Sequence, residues 1–275
     1  MKKPIQILVV MIFSFFTTIY AQDLNPANRT KSALKLTQTA SFKMFSKSEI
    51  MGQEMENNFK SNTVYNIEIT PTTEQGAIAE IKIIAQKIES EAMGQVMSYD
   101  SEKPEEGNTE LAADVKDMMK NTMKITLDKN GFITSVKGNE KLTTLKSDVE
   151  NKYEIGELFG MFLKLTNTVK PGESWEEKED KKEFKATSKY TYKSFENGMA
   201  NIEKISTVTI NQKMEQMGML MFSTLEGTVV ENIEVDPSTL LIKSRTSISN
   251  LTGYVDASGK KMPLSTFFTT SETIQ

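Results

Sequence analysis

Methionine is the residue whose repetition in this sequence points most directly to chemistry. Three stretches share the spacing Glu-x-Met-Gly-x-x-Met: Glu49 to Met55, Glu91 to Met97 and Glu215 to Met221. On an extended strand Met217, Met219 and Met221 point to one face. Such a face has three uses. It can be core, with the glycine marking a bulge or a close backbone approach. It can wall a cavity for an apolar ligand, because unbranched, polarizable thioethers adapt to irregular shapes. It can also hold Cu(I), a soft cation that thioethers bind without cysteine or histidine. Copper sites cluster their methionines more densely than 17 spread over 275 residues.

Catalytic sets are scarce. With no cysteine and no histidine, the chain has no thiol nucleophile, no disulfide, no Ser-His-Asp triad and no HExxH zinc site. The commonest general base near neutral pH is missing as well. Ser32-Ala33-Leu34-Lys35 matches Ser-x-x-Lys, but without the companion motifs that make the match meaningful. Glu91 and Glu215 are the repeat-related carboxylates from which a glycoside-cleaving pair would be drawn. The reading is therefore a protein that is not an enzyme, with no metal site and no cofactor. A net charge of −4 and only two arginines, Arg29 and Arg245, also exclude the basic stripe of a nucleic-acid binder.

These residues must be positioned mainly by strands. Tyr65, Ile67 and Ile69 alternate with polar residues, as do Ala79, Ile81, Ile83 and Ala85, and Met123, Ile125 and Leu127. Period-2 alternation marks half-buried strands. Asn130-Gly131 and Asn197-Gly198 supply the positive φ of hairpin turns, and Asp236-Pro237-Ser238 supplies a third turn. Two segments break the pattern. Leu111, Val115, Met118 and Met119 follow a Thr109 N-cap. Ile155, Leu158, Phe159, Phe162 and Leu163 fall at i, i+3, i+4, i+7 and i+8, which predicts an amphipathic helix, with another over 142–149. The charge run Glu176 to Lys185 reads as a solvated face or loop.

The two halves share landmarks in the same order. Glu74-Gln75-Gly76 matches Glu196-Asn197-Gly198, and Ile125-x-Leu127-Asp128 matches Ile233-x-Val235-Asp236. The expected fold is α+β and mainly antiparallel: curved sheets or a half-barrel of two repeated meanders with central amphipathic helices. The expected divisions are a signal peptide over 1–21, a first β lobe with a short helical insert over 22–140, central helices over 141–170 and a second β lobe over 171–275. Lys2 and Lys3 followed by the uncharged run Ile5 to Tyr20 form the leader, with Ala21 at its cleavage site. No later run is long enough to span a bilayer, so the mature chain is expected in the periplasm or outside the cell.

Met97-Ser-Tyr-Asp-Ser101, Leu127-Asp-Lys-Asn-Gly131, Pro171-Gly-Glu-Ser-Trp175 and Glu196-Asn-Gly-Met-Ala200, in that order, resemble a family of exported Bacteroidota proteins catalogued as a domain of unknown function. The resemblance covers nearly the whole mature chain. It implies a Gram-negative envelope location and brings no activity or site residues with it. Two roles remain open. One is to bind an apolar ligand such as a lipid or acyl chain, with Leu158, Phe159, Phe162 and Leu163 as lid and Met217, Met219 and Met221 as floor. The other is an interaction module partnered by an envelope protein.

Overall fold

The computed structural model describes residues 22–25, 33–50, 53–72, 76–92, 94–104, 109–138, 153–216, 219–257 and 259–275. The leader over 1–21, the helix expected over 142–149, and Ser32, Met51, Met93 and Met217 lie outside the described residues.

Alternating side chains make strands almost throughout. In chain order these are β1 (Leu34–Ile50), β2 (Gln53–Pro71), β3 (Ala77–Ala92) and β4 (Gln95–Asp100), then helix α1 (Thr109–Lys120). They continue as β5 (Thr122–Leu127), β6 (Ile133–Lys137), β7 (Ser174–Asp180), β8 (Phe184–Glu196), β9 (Met199–Gln216), β10 (Met219–Val235), β11 (Ile242–Ala257) and β12 (Lys260–Ile274). All pair antiparallel in one open sheet, in the order β6-β5-β3-β2-β1-β12-β11-β10-β9-β8-β7, with β4 beside the far half of β3.

This overturns the α+β expectation with central amphipathic helices. Strand makes up 74% of the structure and helix 4%, with a single short helix among the described residues. The halves are continuous because β1 pairs with β12 from Gln38–Ile274 to Ser48–Leu264.

The second correction concerns residues 155–163, which form an irregular strap instead of a helix. Their backbone groups bond mainly to neighbouring segments; within the strap only isolated turns form, Glu157 N donating to Glu154 O at 3.2 Å and Phe162 N to Phe159 O at 2.9 Å, with no run of i to i−4 bonds. Ile133 N donates to Glu157 O and Gly156 N to Ile133 O, both at 2.8 Å; Leu163 N donates to Leu240 O and Ile242 N to Met161 O, both at 2.9 Å. Gly156 takes a φ of 92°, outside the helical range. Leu158, Phe159, Phe162 and Leu163 are buried, but Ile155, the first residue of the supposed stripe, is 71% exposed. The charge run is likewise no loop. It forms edge strand β7, a turn and the start of β8, and charge on an edge strand discourages pairing with another chain.

The strap crosses one end of the sheet. It packs into a core with Leu36, Ile67, Ile125 and Ile133 on one side and a second core with Tyr192, Ile202, Ile233 and Val235 on the other. It also draws the two sheet edges towards each other. Lys181, in the turn after β7, reaches Glu154 at 2.6 Å and Glu157 at 3.5 Å on the strap, next to β6. Lys164 meets Glu177 of β7 at 3.2 Å.

Curling also shows inside the sheet. A Cβ built on Gly253 would lie 1.8 Å from the Thr224 carbonyl oxygen, and one on Gly227 would lie 2.2 Å from that of Asn250. Strands β10 and β11 approach so closely here that only glycine fits, as at a tight bend in a sheet.

Candidate functional site

Register sorts each strand's residues onto two faces. The inner face carries the strap at the closed end and α1 over β3 and β4, where Val115 and Met118 pack on Ile83, Ile88 and Tyr99. Between and beyond these covers, the inner face has a polar belt followed by an apolar band.

The belt crosses the sheet near mid-strand. Phe42, Thr270, Ser247, Glu231, Lys204, Tyr190 and Trp175 stand opposite one another on successive strands from β1 to β7. Lys204 Nζ lies 2.5 Å from the buried Glu231 carboxylate and 5.5 Å from the Tyr190 ring centroid. Arg245 Nε approaches Glu231 to 3.8 Å, within ion-pair reach but too far for a hydrogen bond. Glu272 stands directly opposite Arg245 and accepts a 3.4 Å bond from Gln38. Trp175 stacks on Tyr190 at 4.9 Å and 9°. Burial, and then the negative charges of Glu177 and Glu231, push the Tyr190 hydroxyl well above the ordinary tyrosine pKa. Tyr190 is therefore a neutral donor or acceptor at physiological pH.

Beyond the belt, Val208 and Ile210 of β9, Leu225 of β10, Leu251 of β11, and Leu264 and Phe268 of β12 form an apolar cluster. Phe42 extends it, 5.9 Å from Phe268 and 6.0 Å from Phe59. The two closed-end cores each include the strap, and the β3–β4 core includes α1. Among the described residues, every member of this fourth cluster belongs to the sheet itself.

The structure separates the residues expected to act together. Leu158, Phe159 and Phe162 sit in one closed-end core and Leu163 in the other. Met219 and Met221 begin β10, with Met221 opposite Met214 and half-buried. The fourteen steps from Met221 to Val235 span roughly 45 Å at 3.3 Å per residue, so the expected lid and floor lie at opposite ends of the strands. Glu91 is the penultimate residue of β3 and Glu215 that of β9, with five strands between them, and the carboxylate pair does not form. Met44, Met55, Met97 and Met262 all face inward near the open end, each on a different strand. Met44 and Met97 are three strand spacings, about 14 Å, apart. No three His, Cys, Asp or Glu side chains among the described residues converge on a metal-sized site.

Comparison with known proteins adds one assignment. A family model described as "Family of unknown function (DUF6263)" matches residues 74–157 and 151–242, together more than half of the chain. The chain belongs to this family. DUF6263 carries no assigned activity, and no curated protein matches the chain. Among solved structures, the sheet is similar to one titled "Lipid-protein interactions in lipovitellin", with a TM-score of 0.45 and 14% identity over 87% of this chain. The chain spans only 25% of that protein's length. It is also similar to DynF from the dynemicin biosynthesis pathway of Micromonospora chersina, with a TM-score of 0.27 and 8% identity over 99% of this chain and 92% of that one. OccAB4 of Acinetobacter baumannii has a TM-score of 0.22 and 8% identity over 91% of this chain and 100% of that one. None reaches the similarity at which a shared fold is assigned. Among the described residues, no helix is long and apolar enough to cross a membrane.

Proposed function

We propose that this DUF6263 protein is a non-catalytic binder of an apolar ligand, a lipid or acyl chain, exported to the envelope of a Gram-negative bacterium. The observation that carries the reading is the apolar cluster around Leu225, Leu251 and Phe268, which is lined by the sheet alone among the described residues. The ligand surface is thus the inner face of β8–β12 and β1, and the strap is a structural closure of the far end. Covering about ten methylenes at ~0.8 kcal/mol each gives a gross ~8 kcal/mol. Ordering costs reduce this towards micromolar binding. The lack of histidine and cysteine supports binding over catalysis, and Lys2, Lys3 and the Ile5 to Tyr20 run support export.

The test is the intact mass of protein purified gently from its native envelope, first under native and then under denaturing conditions. A stoichiometric apolar mass lost on denaturation is the expected result. A bare protein mass, together with no uptake of added octadecene, refutes the reading and leaves the envelope-protein partner in its place.

A further inference from the structure

We infer that the ligand presents a neutral acyl carbonyl, an ester or amide, to Ser249, on the Arg245 side of Leu251, where the polar belt meets the apolar band. This deepens the apolar-ligand reading and rests on it. The inward residues of β11 run Arg245, Ser247, Ser249, then Leu251, Gly253 and Val255. The change from polar to apolar falls between Ser249 and Leu251. A chain lying along Leu251 with its head towards the closed end therefore places that head beside Ser249.

The hydrogen bonding of the belt singles out the same stretch of β11. Ser188 is bonded to Ser206 at 2.8 Å and Ser247 to Thr270 at 2.6 Å. Ser249 is 1% exposed, and its Oγ has no hydrogen-bond partner; the Nε of Arg245 is buried in the same condition. A hydroxyl and a guanidinium N–H both donate to a carbonyl oxygen, and the guanidinium can do nothing else.

Charge selects the head. Lys204 and Arg245 are matched by Glu231 and Glu272, all four facing inward on adjacent strands. A carboxylate or phosphate would add a third negative charge to this balanced set in a setting where water screens poorly. An ester or amide oxygen accepts the same bonds without that penalty.

Methyl oleate, N-methyloleamide, oleate and octadecene, delivered from cyclodextrin at about pH 8 where oleate is ionised, test the inference through isothermal titration calorimetry. Oleate should bind more weakly than methyl oleate or N-methyloleamide, and the tighter of these two should exceed octadecene by about three- to tenfold, the worth of a neutral hydrogen bond. The tighter of the two identifies the source: an ester points to a glycerolipid, an amide to an N-acylated protein. Ser249→Ala should remove most of that advantage without changing octadecene affinity, and Ser249→Thr, which keeps the hydroxyl, should restore it. Oleate binding as tightly as the ester, or an ester advantage unaffected in folded Ser249→Ala, overturns the inference but leaves the apolar-ligand reading standing. Failure of all four probes, octadecene included, overturns both.

Discussion

Replacing Glu231 with leucine tests whether the polar belt is a buried network or a wet surface. The Glu231 side chain is 11% exposed, and those of Lys204 and Arg245 are 23% and 25% exposed. Removing one member of a buried ion pair costs roughly 3–5 kcal/mol because the other charge is left uncompensated. Here both cations can turn partly to water, Lys204 keeps the Tyr190 ring and Arg245 keeps Glu272 opposite. The expected cost of Glu231→Leu is therefore lower, ~2–3 kcal/mol. Adding Lys204→Met removes the stranded ammonium, so the double variant should be more stable than Glu231→Leu alone, with a coupling of ~1–2 kcal/mol. Urea unfolding followed by Trp175, the single tryptophan, reads this directly. At an m-value of about 2–3 kcal/mol/M the Glu231→Leu midpoint falls by roughly 1 M. Far-UV circular dichroism should give the same midpoint if unfolding is two-state. Additive effects, with coupling below ~0.5 kcal/mol, would show that water already screens these charges, and the electrostatic argument for a neutral ligand head would fall with it.

Gly253→Ala places a Cβ against the Thr224 carbonyl and should cost about 3 kcal/mol or more. Gly259→Ala, at a φ of 84° with open space around it, should cost only ~1–2 kcal/mol; equal costs would refute the close β10–β11 approach. Phe162→Ala, in the closed-end core, should lose ~3–5 kcal/mol, against about 0.5 or less for Phe222→Ala at a 50% exposed outer position. If Phe162→Ala instead kept full stability and lost only ligand, the strap would be a lid after all. Asp236 is partly desolvated, but hydrogen bonds from Ser238 and Thr239 outweigh this and lower its pKa. A lowered folded pKa stabilises above the unfolded value, near 3.9, and that contribution disappears as pH falls through the folded one. Asp236→Asn should therefore flatten the stability profile below about pH 4, as measured by thermal melts; an unchanged acid limb would exclude this turn as a contributor.

Strand alternation was legible wherever the inner face is apolar. Ala79, Ile81 and Ile83 are inward and buried as their spacing implies, but Ala85 changes face because a bulge interrupts the register at Val64/Tyr65, and no local pattern announces it. In the open halves of β1 and β2 the inward positions include Ser46, Ser48 and Asn57, so the hydrophobic period fades although pairing continues. The strap imitated a helix because a segment buried between two cores has apolar side chains at irregular intervals that can fit a 3.6-residue period. Gly156 and Gly160 within that stripe were the signal against it. The polar belt was missed although its sign was present. In Val229-x-Glu231-x-Ile233-x-Val235, the glutamate shares the parity of buried residues, and Lys204 does so between Ile202 and Val208. A charge on the apolar parity of a strand must be paired in a core or exposed at a site.

The repeated Glu-x-Met-Gly-x-x-Met spacing has an architectural cause. Ile50 pairs with Gln53, Ala92 with Gln95 and Gln216 with Met219, so in each case Met-Gly lies in the sequence between two strands that pair up to their ends on the same side of the sheet. Gly94 has a φ of 74°, a conformation that two-residue hairpins demand and glycine supplies. Because side chains alternate, the third residue after the glycine returns to the inner face, where Met55, Met97 and Met221 stand. One spacing thus turns the chain and sets a thioether on the inner face just inside the rim. A copper-binding reading would require these sulfurs to converge, but the sheet holds them on separate strands. The proposed apolar ligand requires no such convergence, only thioethers on the inner face near the rim, where the register places Met55, Met97 and Met221.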